Sequence, residues 1–190
     1  MPEYPAAGGT SDDPVGDAPG QISGTPGPRI FALPDEPATE TFAARLAQAI
    51  VARMATAPSG KRGLHVQLSG DLGAGKTTFV RALLRALGHV GRVKSPTYTL
   101  CEPYNISTPN GPLPVYHFDL YRFGDPAEWH DTGFREHFAG DALCLVEWPE
   151  KAAGLLGTPD LTLALEPEGD GRRLTVTAGT PAGLACLYSC

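Results

Sequence analysis

Residues 70–77 read GDLGAGKT, a full match to G-x-x-x-x-G-K-[ST], and no other feature constrains the chain as tightly. The preceding stretch, LHVQLS at 64–69, alternates apolar and polar residues as a strand does; 76–87 has a helical pattern that Gly88 stops. A glycine-rich loop in a strand-loop-helix setting is a phosphate cradle. Its glycines let successive backbone N–H groups curl inward, and the helix adds the positive end of its dipole. Lys76 is then placed for the β- and γ-phosphates, and the Thr77 hydroxyl for Mg²⁺. The competing reading, a Gly-rich turn with a chance Lys-Thr pair, does not account for the flanking elements.

The elements around this loop read as one α/β domain. A short edge strand is expected at 29–33, ended by Pro34, and a helix at 39–54, where Phe42, Leu46, Ile50 and Met54 recur every four residues. After the phosphate loop, strands are expected at 97–104, 114–119, 142–147, 161–165 and 174–178, with a loop at 107–112 and helical pieces at 126–138 and 149–156. Strands interleaved with helices imply a sheet covered on both faces. Residues 1–28 are rich in Pro and Gly, acidic, and without Lys or Arg until Arg29, so they read as a disordered tail. The domain spans 29–179, and 180–190 is expected to be a frayed C-terminal tail.

Composition removes several function classes. With 190 residues, 42% of them hydrophobic, the chain is long enough for one real core. No apolar run approaches the ~20 residues needed to cross a bilayer, and no apolar block before Arg29 suggests a secretory signal. The net charge of −6 argues against a protein that grips nucleic acid by itself. The four cysteines, Cys101, Cys144, Cys186 and Cys190, form no C-x-x-C pair and suit a reduced cytoplasm. His130 and His137 lack partners at zinc-ligand spacing, and no Ser-His-Asp arrangement is apparent.

A phosphate loop of this kind also needs a carboxylate at the end of a neighbouring strand. Two positions qualify: Glu147, closing the apolar run ALCLVE, and Asp119, closing VYHFD. On physical grounds Glu147 is the better Mg²⁺-side acid. The SPTYT segment at 95–99 reads either as a switch that senses the γ-phosphate through Ser95 and Thr97 or as ordinary turn chemistry. Trp148 either stacks on adenine or packs in the core. His117, alternating with apolar neighbours, reads as a structural histidine.

Taken together, the segments LPDE (33–36), GDLGAGKTT (70–78), VKSPTYTL (93–100) with EPY (102–104), YHFDLYR (116–122) and LVEWPE (145–150) closely resemble one family: TsaE, the bacterial ATPase of tRNA threonylcarbamoyladenosine biosynthesis. The likeness spans about residues 33–179. It implies an α/β fold, a P-loop NTPase-like three-layer sandwich with a mixed central β-sheet. It further implies ATP and Mg²⁺ as cofactors, and hydrolysis that permits repeated turnover by the partners TsaD and TsaB. Contact with tRNA would be indirect, through that complex. No membrane association is implied, and the isolated chain is expected to be a monomer. Residue by residue, the resemblance gives Lys76 to the phosphates, Thr77 and Glu147 to Mg²⁺, and Asp119 to a required acid that positions water or metal. Asp71, Leu72, Gly73, Ala74, Gly75 and Thr78 fall to the nucleotide, Ser95 and Thr97 to a switch, and Trp148 to the base side. Glu36 and Arg172 border the nucleotide. Two rivals remain at this stage: a small-molecule kinase on the same fold, and a nucleotide-gated binding module that never hydrolyses.

Overall fold

The computed structural model describes residues 27–60, 62–124, 129, 133–152 and 154–190. Seven strands form one mixed sheet in the order β1-β7-β6-β2-β5-β4-β3. They are β1 (Arg29–Leu33), β2 (Leu64–Ser69), β3 (Cys101–Thr108), β4 (Gly111–Asp119), β5 (Leu143–Glu147), β6 (Leu161–Glu168) and β7 (Gly171–Ala178). The inner four, β6, β2, β5 and β4, run parallel, while β1, β7 and β3 pair antiparallel. Parallel pairing carries the C-terminal ends of the inner strands to one edge of the sheet, where open α/β sheets bind ligands.

Helices α1 (Glu36–Thr56), α2 (Lys76–Ala86) and α3 (Pro181–Tyr188) share one face of the sheet. The four-residue repeat of α1 does what the sequence expects, since Phe42, Leu46, Ile50 and Met54 are all buried. They pack with Phe79 and Leu83 of α2 and with Leu64, Val66 and Leu68 of β2. Each such side chain contributes roughly 1.5–3 kcal/mol on burial. The opposite face carries a second cluster, built from Phe118, Leu120, Trp129, Cys144 and Val146. Its cover is supplied by Phe134 and Phe138 of a 3₁₀ turn (Phe134–Phe138) and by Ala152 of another (Pro149–Ala152).

Four local expectations are corrected. Helix α1 starts at Glu36, not at 39, because Asp35 caps it by accepting a 2.8 Å hydrogen bond from the Ala38 N–H. The loop expected at 107–112 is a tight hairpin in which β3 and β4 pair as far as Thr108 and Gly111. Pro112 and Pro114, which have no backbone N–H to donate, are tolerated in β4 because β5 joins it only from Val115 onward. The strand expected from Thr97 begins at Cys101. Before it, 96–100 form a turn closed by the Leu100 N–H on the Pro96 carbonyl at 2.7 Å. The helical piece at 126–138 appears as helical backbone at Trp129 and a 3₁₀ turn at Phe134–Phe138, that at 149–156 as a 3₁₀ turn at Pro149–Ala152, and 126–128, 130–132 and 153 lie outside the described residues. Most of the tail read at 1–28 lies outside them too. Among the described residues no helix is long and apolar enough to cross a membrane.

The expected frayed tail is α3. Thr180 caps it, accepting from the Gly183 N–H at 3.2 Å, and Cys186 and Leu187 are buried against α1 and β7. Gly183 is packed so closely that an added Cβ would collide with the Asp160 carbonyl. Alanine favours helix over glycine by about 1 kcal/mol, but here the collision should win. Gly183→Ala is expected to destabilise the chain by about 1–3 kcal/mol in urea unfolding. An unchanged or raised midpoint would mean that α3 does not dock.

Candidate functional site

The loop joining β2 to α2 emerges at the C-terminal edge of the sheet. Gly70 has φ 133° and no room for a side chain, which would strike the Leu165 carbonyl; Gly75 has φ 106° and precedes α2 in the left-handed conformation. No side chain caps α2. Its first N–H groups are therefore left for an anion, and the dipole favours one. A cleft of about 330 Å³ opens there, walled by Gly73, Gly75, Thr77 and Thr78 of the loop and helix.

Lys76 is buried, 4% exposed, and its ammonium donates to the carbonyls of Gly70 at 2.5 Å and Asp71 at 2.9 Å. Burial holds the amine below the ordinary lysine range, while the carboxylates of Glu147, Glu150, Asp119 and Asp71 pull it back up. Above it lies Trp148, its ring centroid 3.6 Å from Nζ. One indole face covers the Lys76 ammonium, and the ring also packs on Tyr121, with centroids 5.0 Å apart. Trp148 holds φ 59°, a strained value for a bulky residue that costs on the order of 1–3 kcal/mol and is found at functional sites.

The two acids stand side by side, because β4–β5 register pairs Asp119 with Glu147. Glu147, 2% exposed, accepts from the Thr77 hydroxyl through Oε2 at 2.8 Å. Its other oxygen, Oε1, lies 2.8 Å from His117 Nε2. Asp119 Oδ2 accepts from both Ser95 Oγ and Thr97 Oγ1 at 2.8 Å, and Oδ1 accepts from the Tyr121 N–H at 3.1 Å. The hydroxyls of Ser95 and Thr97 are thus fastened to Asp119, which favours the switch reading over simple turn chemistry. A hydroxyl beside a strand-end carboxylate at a phosphate loop is an oxygen donor set of the kind Mg²⁺ takes.

Ser95, Thr97, Lys76, Asp119, Glu147, Trp148 and Leu72 join the loop residues in the cleft wall. Asp71 and Ala74 do not line it; they shape the loop, the Ala74 N–H donating to the Asp71 carbonyl at 3.1 Å. Glu36 and Arg172 lie next door, in a second cleft of about 230 Å³ that shares Gly75 and Thr78 with the first. Arg172 braces the loop from that side, donating to the carbonyls of Ala74 at 2.8 Å and Gly73 at 3.3 Å. The sequence reads His117 as a structural histidine, and the structure adds that its ring meets Glu147. Strand alternation puts His117 on the same face of β4 as Asp119.

Fold and site together define a P-loop NTPase-like protein, one built to hold the phosphates of a nucleotide. The family described as "Threonylcarbamoyl adenosine biosynthesis protein TsaE" matches residues 33–175. The chain belongs to this TsaE family. The tRNA threonylcarbamoyladenosine biosynthesis protein TsaE of Haemophilus influenzae is 42% identical over 151 residues, covering 80% of this chain and 90% of its own length. The protein of the same name from Bacillus subtilis is 42% identical over 124 residues, 65% of this chain and 75% of its own. The crystal structure of Bacillus subtilis YdiB superposes with a TM-score of 0.59 at 28% identity, covering 86% of this chain and 94% of that one.

Proposed function

We propose that the chain binds ATP with Mg²⁺ and hydrolyses it in the cytoplasm, supporting formation of N6-threonylcarbamoyladenosine in tRNA together with TsaD and TsaB. The observation that carries this reading is the uncapped N-terminus of α2 beside a buried ammonium, with Thr77 bonded to Glu147 at 2.8 Å. Loop amides and Lys76 bind the phosphates and stabilise charge that spreads over the transferring group. Thr77 and Glu147 hold the metal, which neutralises negative charge on the phosphate oxygens. Asp119 latches the 95–99 segment, and Trp148 shields the ammonium from water. Trp148 and, across the shared wall of the second cleft, Glu36 and Arg172 border the base end of the nucleotide. Among the described residues no arginine lines the cleft as a finger, so turnover by the chain alone is slow and the partners accelerate it.

Reconstitution with TsaD, TsaB, tRNA and a threonylcarbamoyl donor tests the whole reading. Several rounds of modification per complex are expected only with this chain and hydrolysable ATP, with phosphate released to water. Equal yields without the chain, or with a non-hydrolysable analogue, would refute it. Phosphate carried to an added metabolite would instead indicate a kinase.

A further inference from the structure

His117 is the most deeply buried polar side chain near the site, at 0% exposure. Leu113 and Val115 of β4 pack under the helices, and the strand's alternation puts His117 on that same face, one step deeper than Asp119. Its Nε2 meets Glu147 Oε1 at 2.8 Å, and its Nδ1 is buried without a hydrogen-bond partner. A proton on Nδ1 would be stranded with no acceptor, whereas a proton on Nε2 has a carboxylate to meet. These contacts favour the Nε2–H form, which donates to one oxygen of Glu147 only.

We propose that His117 is a positioning residue for Glu147. By occupying Oε1 it fixes the rotation of the carboxylate and turns Oε2, the oxygen beside Thr77, toward the cleft. The two contacts hold Glu147 between β4 and α2, so a single acceptor faces the metal. Without the donor, Oε1 would be a buried, unsatisfied charge, and the carboxylate would reorient to relieve it. Partners of metal-ligating groups act in this way, and losing one lowers metal affinity by about 10–100-fold. This inference rests on the reading above that Glu147 faces the metal.

The test uses the full chain with ADP and Mn²⁺ as a paramagnetic probe, free Mn²⁺ being counted by electron paramagnetic resonance. Glu147→Gln serves as the reference, His117→Phe removes the donor while keeping a ring, and His117→Gln restores an N–H near the same place. His117→Phe is expected to weaken Mn²⁺ binding about tenfold, with metal-free ADP affinity unchanged, and His117→Gln to recover most of the loss. In turnover the Phe variant should lower kcat more than it raises KM for ATP. Unchanged Mn²⁺ affinity in His117→Phe, with Glu147→Gln weakened, would overturn the positioning role alone. Unchanged affinity in both would overturn the metal reading of Glu147 and this inference with it. Should His117→Phe fail to fold, the wild-type chain still decides. Its histidine ¹⁵N spectrum is expected to show Nε2 protonated and Nδ1 bare, and the reverse pattern would overturn the proposal.

Discussion

Lys76→Ala is expected to lower ATP turnover by about 10²–10³-fold, the usual loss when one preorganised charge-stabilising donor leaves a water-poor site. The ammonium is buried under Trp148 and anchored by two loop carbonyls, and among the described residues no other cationic side chain lines the cleft. Affinity for ATP should fall as well, because the same charge meets the phosphates before reaction. The fold should survive. The substitution frees two carbonyls at the cleft edge but leaves Phe79, Leu83 and the other buried contacts of α2 intact. Phosphate release and a thermal melt, measured together, check both halves. Turnover within about threefold of wild type, a cost of less than 1 kcal/mol, would remove Lys76 from the chemistry.

Glu147→Gln separates metal from nucleotide. The amide is nearly the same size, keeps an oxygen for hydrogen bonding and loses the charge. Mg²⁺-dependent turnover should drop by about 10²-fold or more, while binding of ATP without metal changes little. Stability should hold or rise, since a carboxylate only 2% exposed carries a desolvation penalty that the amide avoids. An active but less stable variant would be the opposite result, and would make Glu147 a structural acid.

Much of this was legible in the sequence for identifiable reasons. GDLGAGKT has few alternatives once a strand and a helix flank it, and the spacing of Phe42, Leu46, Ile50 and Met54 fixes which face of α1 is buried. Parallel strands ending in Asp119 and Glu147 bring both acids to the loop. What stayed hidden depends on tertiary contacts. Local alternation reads His117 as core, and only pairing across β4 and β5 shows that its ring reaches Glu147. Trp148 stacks on Lys76 because a left-handed backbone turns it there, which the run EWP does not reveal. Helix α3 is eight residues long and forms because it docks, since so short a helix is marginal alone. Its start was nonetheless marked by Thr180 and Pro181, a cap followed by a first-turn proline.

The central claim is that main-chain amides at 73–78, one ammonium and one hydroxyl hold a nucleoside triphosphate. Calorimetric titration of ATP into the full chain with magnesium present tests it most directly. The expected result is a saturable one-to-one isotherm that vanishes in Lys76→Ala. No saturable heat with either ATP or GTP at millimolar concentration would contradict it.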